Sequence, residues 1–182
     1  QDGKTFAFVE IHPDTGFDIA MLDTRSGCVT PFLNSQFNEM YPEFSPDGHW
    51  IAYTSDESRR DEVYVRAFPG QGMKLQISSE GGREPLWART GKQLFYRRWD
   101  QNQVWVVDVR TDGGFAASKP RLLFEKPGYE WGYPIRSWDL SLDSQRFLMT
   151  KFEQRKPAPV TEMILVQNWL EELKRLVPTG NK

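Results

Sequence analysis

The sequence predicts an all-β fold: a β-propeller of about four four-stranded blades, followed by a short C-terminal helix. Three observations predict it. A glycine-centred turn recurs at Gly3, Gly48 and Gly91, with Ser144 in the fourth place, at intervals of 45, 43 and 53 residues. A period of about 40–45 residues carrying four short strands is that of a propeller blade. Each turn leads into short runs rich in β-branched and aromatic residues, separated by turn residues. Aromatic residues make up 14% of the 182 residues, with 7 Trp and 12 Phe, and large rings suit half-buried pleated surfaces.

The first unit, residues 1–40, opens in mid-pattern. Gln1-Asp2-Gly3-Lys4 reads as the end of a turn and leads into Thr5–Val9 and Asp18–Asp23. The second unit, 41–83, is the clearest. Its turn is Ser45-Pro46-Asp47-Gly48, and its strands are Trp50–Ser55, Glu62–Phe68 and Leu75–Ser78. Pro46 presets φ, Asp47 can accept from neighbouring backbone amides, and Gly48 supplies the positive φ that the returning strand needs. The third unit, 84–133, replaces Pro-Asp by Arg89-Thr90 and continues with Gln93–Tyr96 and Gln103–Val109. It carries extra loop at 111–117 and 128–134. The fourth unit, 134–167, has Leu142 for Pro and Ser144 for Gly, so its turn is expected to carry local strain. Its strands are Arg146–Thr150 and Glu162–Val166. In the stretch 168–177, Trp169, Leu173, Leu176 and Val177 fall on one helical face, before Pro178 and Gly180. This helix would cover a blade edge or dock a partner; residues 178–182 form a tail.

Composition narrows the function classes. The formal net charge is −2, which argues against the basic face of a nucleic-acid-binding protein. No apolar run approaches the ~18 residues of a membrane span, so no membrane insertion by this segment is expected, and no signal peptide is visible. The single cysteine, Cys28, cannot form an internal disulfide. His12, His49 and Cys28 lie in different repeat turns without metal-ligand spacing. No nucleophile elbow, kinase motif or phosphate loop is present. The sequence therefore predicts no catalytic residue, no metal and no cofactor.

Two constellations remain. Glu39, Glu43, Glu84 and Asp139 lie near the innermost strands, and Glu43 and Glu84 are expected at equivalent repeat positions. Such carboxylates either face a channel, as in propeller glycosidases, or are tied to backbone, Arg83 and Arg136. The connections entering the innermost strands should converge on one mouth of the channel. They bring Glu39 and Tyr41, then Arg83 and Glu84, then Trp131, Tyr133 and Arg136. Tyr, Trp and Arg are enriched in interaction hot spots, and aromatics there can equally plug the channel.

Ser45-Pro46-Asp47-Gly48 followed by Trp50-Ile51-Ala52-Tyr53 and Val63-Tyr64-Val65 resembles the TolB-type propeller repeat, over at least residues 1–167. Val107–Phe115 and Asn168–Lys174 resemble the C-terminal region of bacterial serine/threonine protein kinases that carry such propellers. The resemblance implies a WD40-like sensor or protein-interaction module, part of a longer protein, in a periplasmic or otherwise extracytoplasmic setting. TolB-type propellers usually have six blades. A partial ring leaves sheet edges open, so a homodimer through those edges is the assembly to test, beside a propeller hydrolase.

Overall fold

The structure, a computed structural model, describes residues 3–70, 72–129 and 133–151, together with Leu173, Arg175 and Leu176. The chain divides into two compact units, Gln1–Phe152 and Glu153–Lys182. In the second, Leu173, Arg175 and Leu176 are helical. The rest of the predicted helix 168–177 and the strand Glu162–Val166 lie outside the described residues.

The first unit is a run of antiparallel sheets. The first contains β1 (Thr5–His12), β2 (Gly16–Asp23) and β3 (Val29–Leu33), in that order. The second contains β4 (Glu39–Phe44), β5 (Trp50–Ser55), β6 (Glu62–Ala67) and β7 (Lys74–Gln76). The third contains β8 (Arg83–Trp87), β9 (Gln93–Arg98) and β10 (Gln103–Arg110), with β11 (Ala116–Ala117) and β12 (Arg121–Glu125) both paired to β10. The fourth contains β13 (Trp138–Leu140) and β14 (Phe147–Met149).

The core explains why these strands do not alternate polar and apolar. Every residue of β5 is buried. Its odd and even positions belong to different cores, because successive side chains point to opposite faces of a sheet. Ile51 and Tyr53 join Tyr64 against Ile19, Met21, Phe32 and Leu33 of the first sheet. Trp50 and Ala52 join Val63 and Val65 against Trp87, Leu94, Tyr96, Val107 and Val109 of the third. The third sheet repeats the scheme, since Phe95, Val104 and Val106 pack on Trp138 and Leu140 of the fourth. Sheets stacked face to face, each sharing one apolar layer with the next, are propeller blades.

The turns behave as their residues require. Gly3, Gly48 and Gly91 have φ of 69°, 75° and 70°, and Ser144 adopts the same left-handed conformation at 56°. Asp47 and Asp143 both accept from the backbone amide two residues on, at 3.0 Å. Ser144 Oγ accepts from Arg89 N at 3.2 Å, a contact glycine could not make.

One expectation fails. Glu43 and Glu84 are not equivalent. Counted back from the turn residues Gly48 and Gly91, the residue that matches Glu84 is Tyr41, and both are left-handed, at φ 54° and 55°. The matches of Glu43 are Leu86 and, before Ser144, Asp139. The two innermost strands share one bulge, with the register shifting between Met40 and Glu43 and between Arg83 and Leu86, and they align proline on proline, so that Glu43 follows Pro42 whereas Glu84 precedes Pro85. A bulge accommodates the following Pro42 and Pro85, which cannot donate to a ladder.

Two indoles tie neighbouring innermost strands together. Trp87 Nε1 donates to the Glu43 carbonyl at 3.1 Å, and Trp138 Nε1 donates to the Glu84 carbonyl at 3.1 Å. Trp87→Phe keeps most of the ring's bulk but leaves that carbonyl without its donor, which costs about 1–3 kcal/mol. Urea unfolding should show a lower midpoint with an unchanged slope; an unaltered midpoint would remove this bond from the account of blade packing.

Candidate functional site

Three segments meet around a pocket of about 610 Å³: β1, the bulged strand β4 and residues 134–136. Its wall is mostly apolar, with Phe6, Phe8, Ile11, Phe17 and Ile135 prominent among the lining residues. Phe6 is 59% exposed, Ile11 71% and Ile135 75%, so this wall is large apolar surface facing outward. Tyr133, itself exposed, sets its ring edge-on against Phe17 with centroids 5.9 Å apart. The polar element of the wall is an ion pair between Arg136 Nη1 and Glu43 Oε2 at 2.8 Å.

Of the residues selected from sequence, Tyr41 and Arg136 line this pocket and Tyr133 flanks it. Arg83 and Glu84 form a polar group beside it. Arg83 is hydrogen-bonded and ion-paired to Asp61. Glu84 is fully buried and accepts from Ser137 N at 3.2 Å, with Arg97 Nη1 3.7 Å away. Arg97 in turn donates to Ser137 Oγ at 2.7 Å. Burial pushes the Tyr41 hydroxyl up to about 12, with the Glu84 charge adding to the effect and Arg83 opposing it. Burial also lowers the Arg97 guanidinium, and Glu84 opposes that. Tyr41, Arg83 and Glu84 are thus brought together, whereas Glu39 stands in another group. Trp131 lies outside the described residues.

A smaller cavity of about 390 Å³ is lined by the innermost strands β4, β8 and β13. Glu43, Arg89 and Asp139 are among its lining residues, which brings two of the four sequence-selected carboxylates onto one cavity. Asp139 Oδ1 accepts from the Leu140 amide at 2.7 Å.

Glu39 is buried, and its Oε1 accepts from Ser35 Oγ at 2.6 Å. Its Oε2 and the Oδ1 of buried Asp18 have no hydrogen-bond partner among the described residues. Burial raises the Glu39 carboxyl to about 7, against the Ser35 hydrogen bond and with help from the negative charges of Asp18, Asp56 and Glu57. Among the described residues no group of three or more His, Cys, Asp or Glu is placed to hold a metal ion. No helix among them is long and apolar enough to cross a membrane.

Sequence reasoning missed the pocket's apolar wall. The signal was present in Thr5–His12, a strand with Phe6, Phe8, Val9 and Ile11 on both faces, but such a run reads equally as a strand buried on both sides.

No family model matches the chain. An uncharacterized protein of Agrobacterium fabrum is 28% identical over 100 residues, which is 54% of this chain and 34% of that protein. A putative TolB from Agrobacterium tumefaciens superposes with a TM-score of 0.54 at 25% identity, over 68% of this chain and 46% of the other. Hydrazine synthase of Kuenenia stuttgartiensis gives 0.58 at 14% identity, over 83% of this chain and 56% of that one. A nidogen/laminin complex gives 0.57 at 14%, over 81% and 53%. These last two share the fold alone. The chain spans about a third of the curated relative and about half of the solved chains. The architecture is that of a TolB-type β-propeller.

Glu39 makes stability pH-dependent in a stated direction. Its folded value, about 7, lies above its ordinary value of 4.5, so between these the unfolded chain gives up its proton first. Stability therefore falls as pH rises through that window and levels off above it. Glu39→Gln should remove the decline, so the variant gains about 1–2 kcal/mol on the parent between pH 5 and pH 8. Urea midpoints at the two pH values measure this; parallel curves would place the proton elsewhere.

Proposed function

We propose that this chain is a non-catalytic binding module of the propeller type, and that the pocket between β1, β4 and residues 134–136 takes an apolar stretch of polypeptide. The observation that carries this reading is the wall itself. A concave site of several hundred Å³, chiefly apolar with few polar groups, is the usual form of a binding site. Here the polar contribution is the Glu43–Arg136 pair, which can orient a ligand at the rim. Exposed Tyr133 and half-buried Arg136 are of the types that anchor protein interfaces.

The carboxylates support a binding role over a hydrolytic one. Glu84 is engaged with Ser137 and Arg97, Glu43 with Arg136, and Glu39 with Ser35. A general acid or nucleophile has to reach its substrate, and Glu84 and Glu39 are buried. The parent protein we infer is a sensor of the kinase-associated type, an inference that rests on the resemblance of 107–115 and 168–174 to that group.

Selection from a random twelve-residue peptide library on the purified chain should retain sequences rich in large apolar residues. Ile135→Asp, at a position 75% exposed, should leave the fold intact and weaken retained peptides at least tenfold. Equal affinity for the variant would move the site elsewhere. A glycosidase-like hydrolase is the second reading, favoured by the sharing of one cavity by Glu43 and Asp139. It requires that a panel of aryl glycosides be cleaved and that Glu43→Gln abolish cleavage; no release of aryl alcohol from any member removes it.

A further inference from the structure

The junction between the first and second sheets holds two buried carboxyls without a cationic side chain. Asp18 of β2 and Glu39 of β4 are each 4% exposed. Thr15 Oγ1 donates to Asp18 Oδ2 at 2.5 Å, and Asn34 Nδ2 donates to the same oxygen at 3.3 Å. Ser35 Oγ donates to Glu39 Oε1 at 2.6 Å, so the two carboxyls are tied to consecutive residues of one connection. After burial and the Ser35 hydrogen bond, the Asp18 charge acts most strongly on the Glu39 carboxyl. The second oxygen of each, Asp18 Oδ1 and Glu39 Oε2, is buried with no hydrogen-bond partner among the described residues. No arginine or lysine among them forms an ion pair with either carboxyl. Buried charges are normally paired or bound to a metal.

The next junction shows how the repeat neutralises the same place. Ile19 and Met21, which follow Asp18, face the second sheet, as Val63 and Val65, which follow Glu62, face the third. Asp18 stands opposite Glu10 in its ladder, and Glu62 stands opposite Ser55. Asp18 and Glu62 are therefore matching positions. Glu62 is served on both oxygens. Arg60, two residues earlier, pairs with Oε1 at 2.9 Å, Gly81 N donates to Oε1 at 2.9 Å, and Ser78 Oγ donates to Oε2. In the first sheet the residue two before Asp18 is Gly16, which has no charge to offer. Ser35 matches Ser78, counted back from Gly48 and Gly91, but it serves Glu39, where the next junction has Gly82. One carboxylate is added and one guanidinium removed, and every residue concerned lies in the interior of the chain, between Thr15 and Gly82.

We propose that this junction binds one divalent cation of the oxygen-seeking kind, calcium, between Asp18 Oδ1 and Glu39 Oε2. The donors are all oxygen, with no imidazole or thiolate among them, which selects a hard cation. Calcium accepts an irregular shell of about six to eight oxygens from carboxylates, neutral side chains and water, whereas magnesium demands a near-octahedral one. Two carboxylates balance the ion's charge, so no third charged ligand is required. The hydroxyls of Thr15 and Ser35 and the amide of Asn34 border the two carboxyls and stand ready, with water, to complete the shell. A proton shared by the two carboxyls is the competing neutraliser, but it cancels one of the two charges where a divalent ion cancels both. The ion would join β2 of the first sheet to β4 of the second, doing there what Arg60 does for Glu62.

The test uses the whole chain, freed of metal with EDTA and dialysed, at pH 8. Titration calorimetry with calcium chloride should show one site per chain. The urea midpoint should rise with calcium but not with sodium chloride of equal ionic strength, because a ligand of the folded state stabilises it. Magnesium should bind at least tenfold more weakly. Asp18→Asn and Glu39→Gln should each weaken calcium at least tenfold. The second variant guards against misfolding as the cause, since without calcium it should be more stable than the parent at this pH; calcium should raise the parent's midpoint and leave the variant's unmoved. No heat and an unchanged midpoint at about 10 mM calcium, above the range of weak extracellular sites, overturn the proposal and leave the shared proton as the neutraliser. Calcium binding undiminished in both variants places the ion elsewhere, with the same consequence.

Discussion

The central blades of this protein, the second and third sheets, are held by what lies on either side of them. The apolar layers between sheets dominate the stability of the first unit, because a strand such as β5, with every residue buried, has no solvent face to satisfy. Burial of apolar area is the main favourable term in folding, and here it is delivered through side chains of alternating direction into two separate layers. The innermost strands are consequently brought close enough for indoles to reach the neighbouring backbone.

The turns were legible in the sequence because their chemistry is local. A positive φ selects glycine, and the four turn residues adopt it in register, Ser144 included. The two-sided burial was legible only in part. Val63-Tyr64-Val65 reads as a strand, but nothing in its spacing says that Tyr64 faces one core and the valines another. The equivalence of Glu43 and Glu84 was misread because both glutamates adjoin a proline, Glu43 after Pro42 and Glu84 before Pro85. Once Tyr41 and Glu84 are seen to share a left-handed backbone, the alignment by proline rather than by glutamate becomes the physical one.

The candidate site was legible through its polar members and obscured through its apolar ones. Tyr41, Tyr133 and Arg136 announced themselves as interaction residues, and they meet at or beside the pocket. Glu84, also selected, is drawn into the interior by Arg97 and Ser137. A buried carboxylate with a guanidinium close by is better understood as a packing element with a heavy desolvation cost than as a reactive group. Phe6, Phe8 and Ile11 carry no chemical signature of their own. Their meaning depends on whether another strand lies beside them, which is a property of the assembled sheets.

The division of the interior into separate layers has a consequence for how the protein melts. Where each module touches chiefly its neighbours, stability is close to a sum of module terms and nearest-neighbour couplings. The second and third sheets are each coupled on both faces, whereas the described part of the fourth, β13 and β14, is coupled through the single layer it shares with the third. Heat should therefore loosen the fourth sheet ahead of the central pair, so that calorimetry reads a broadened, stepwise transition in place of one sharp all-or-none peak.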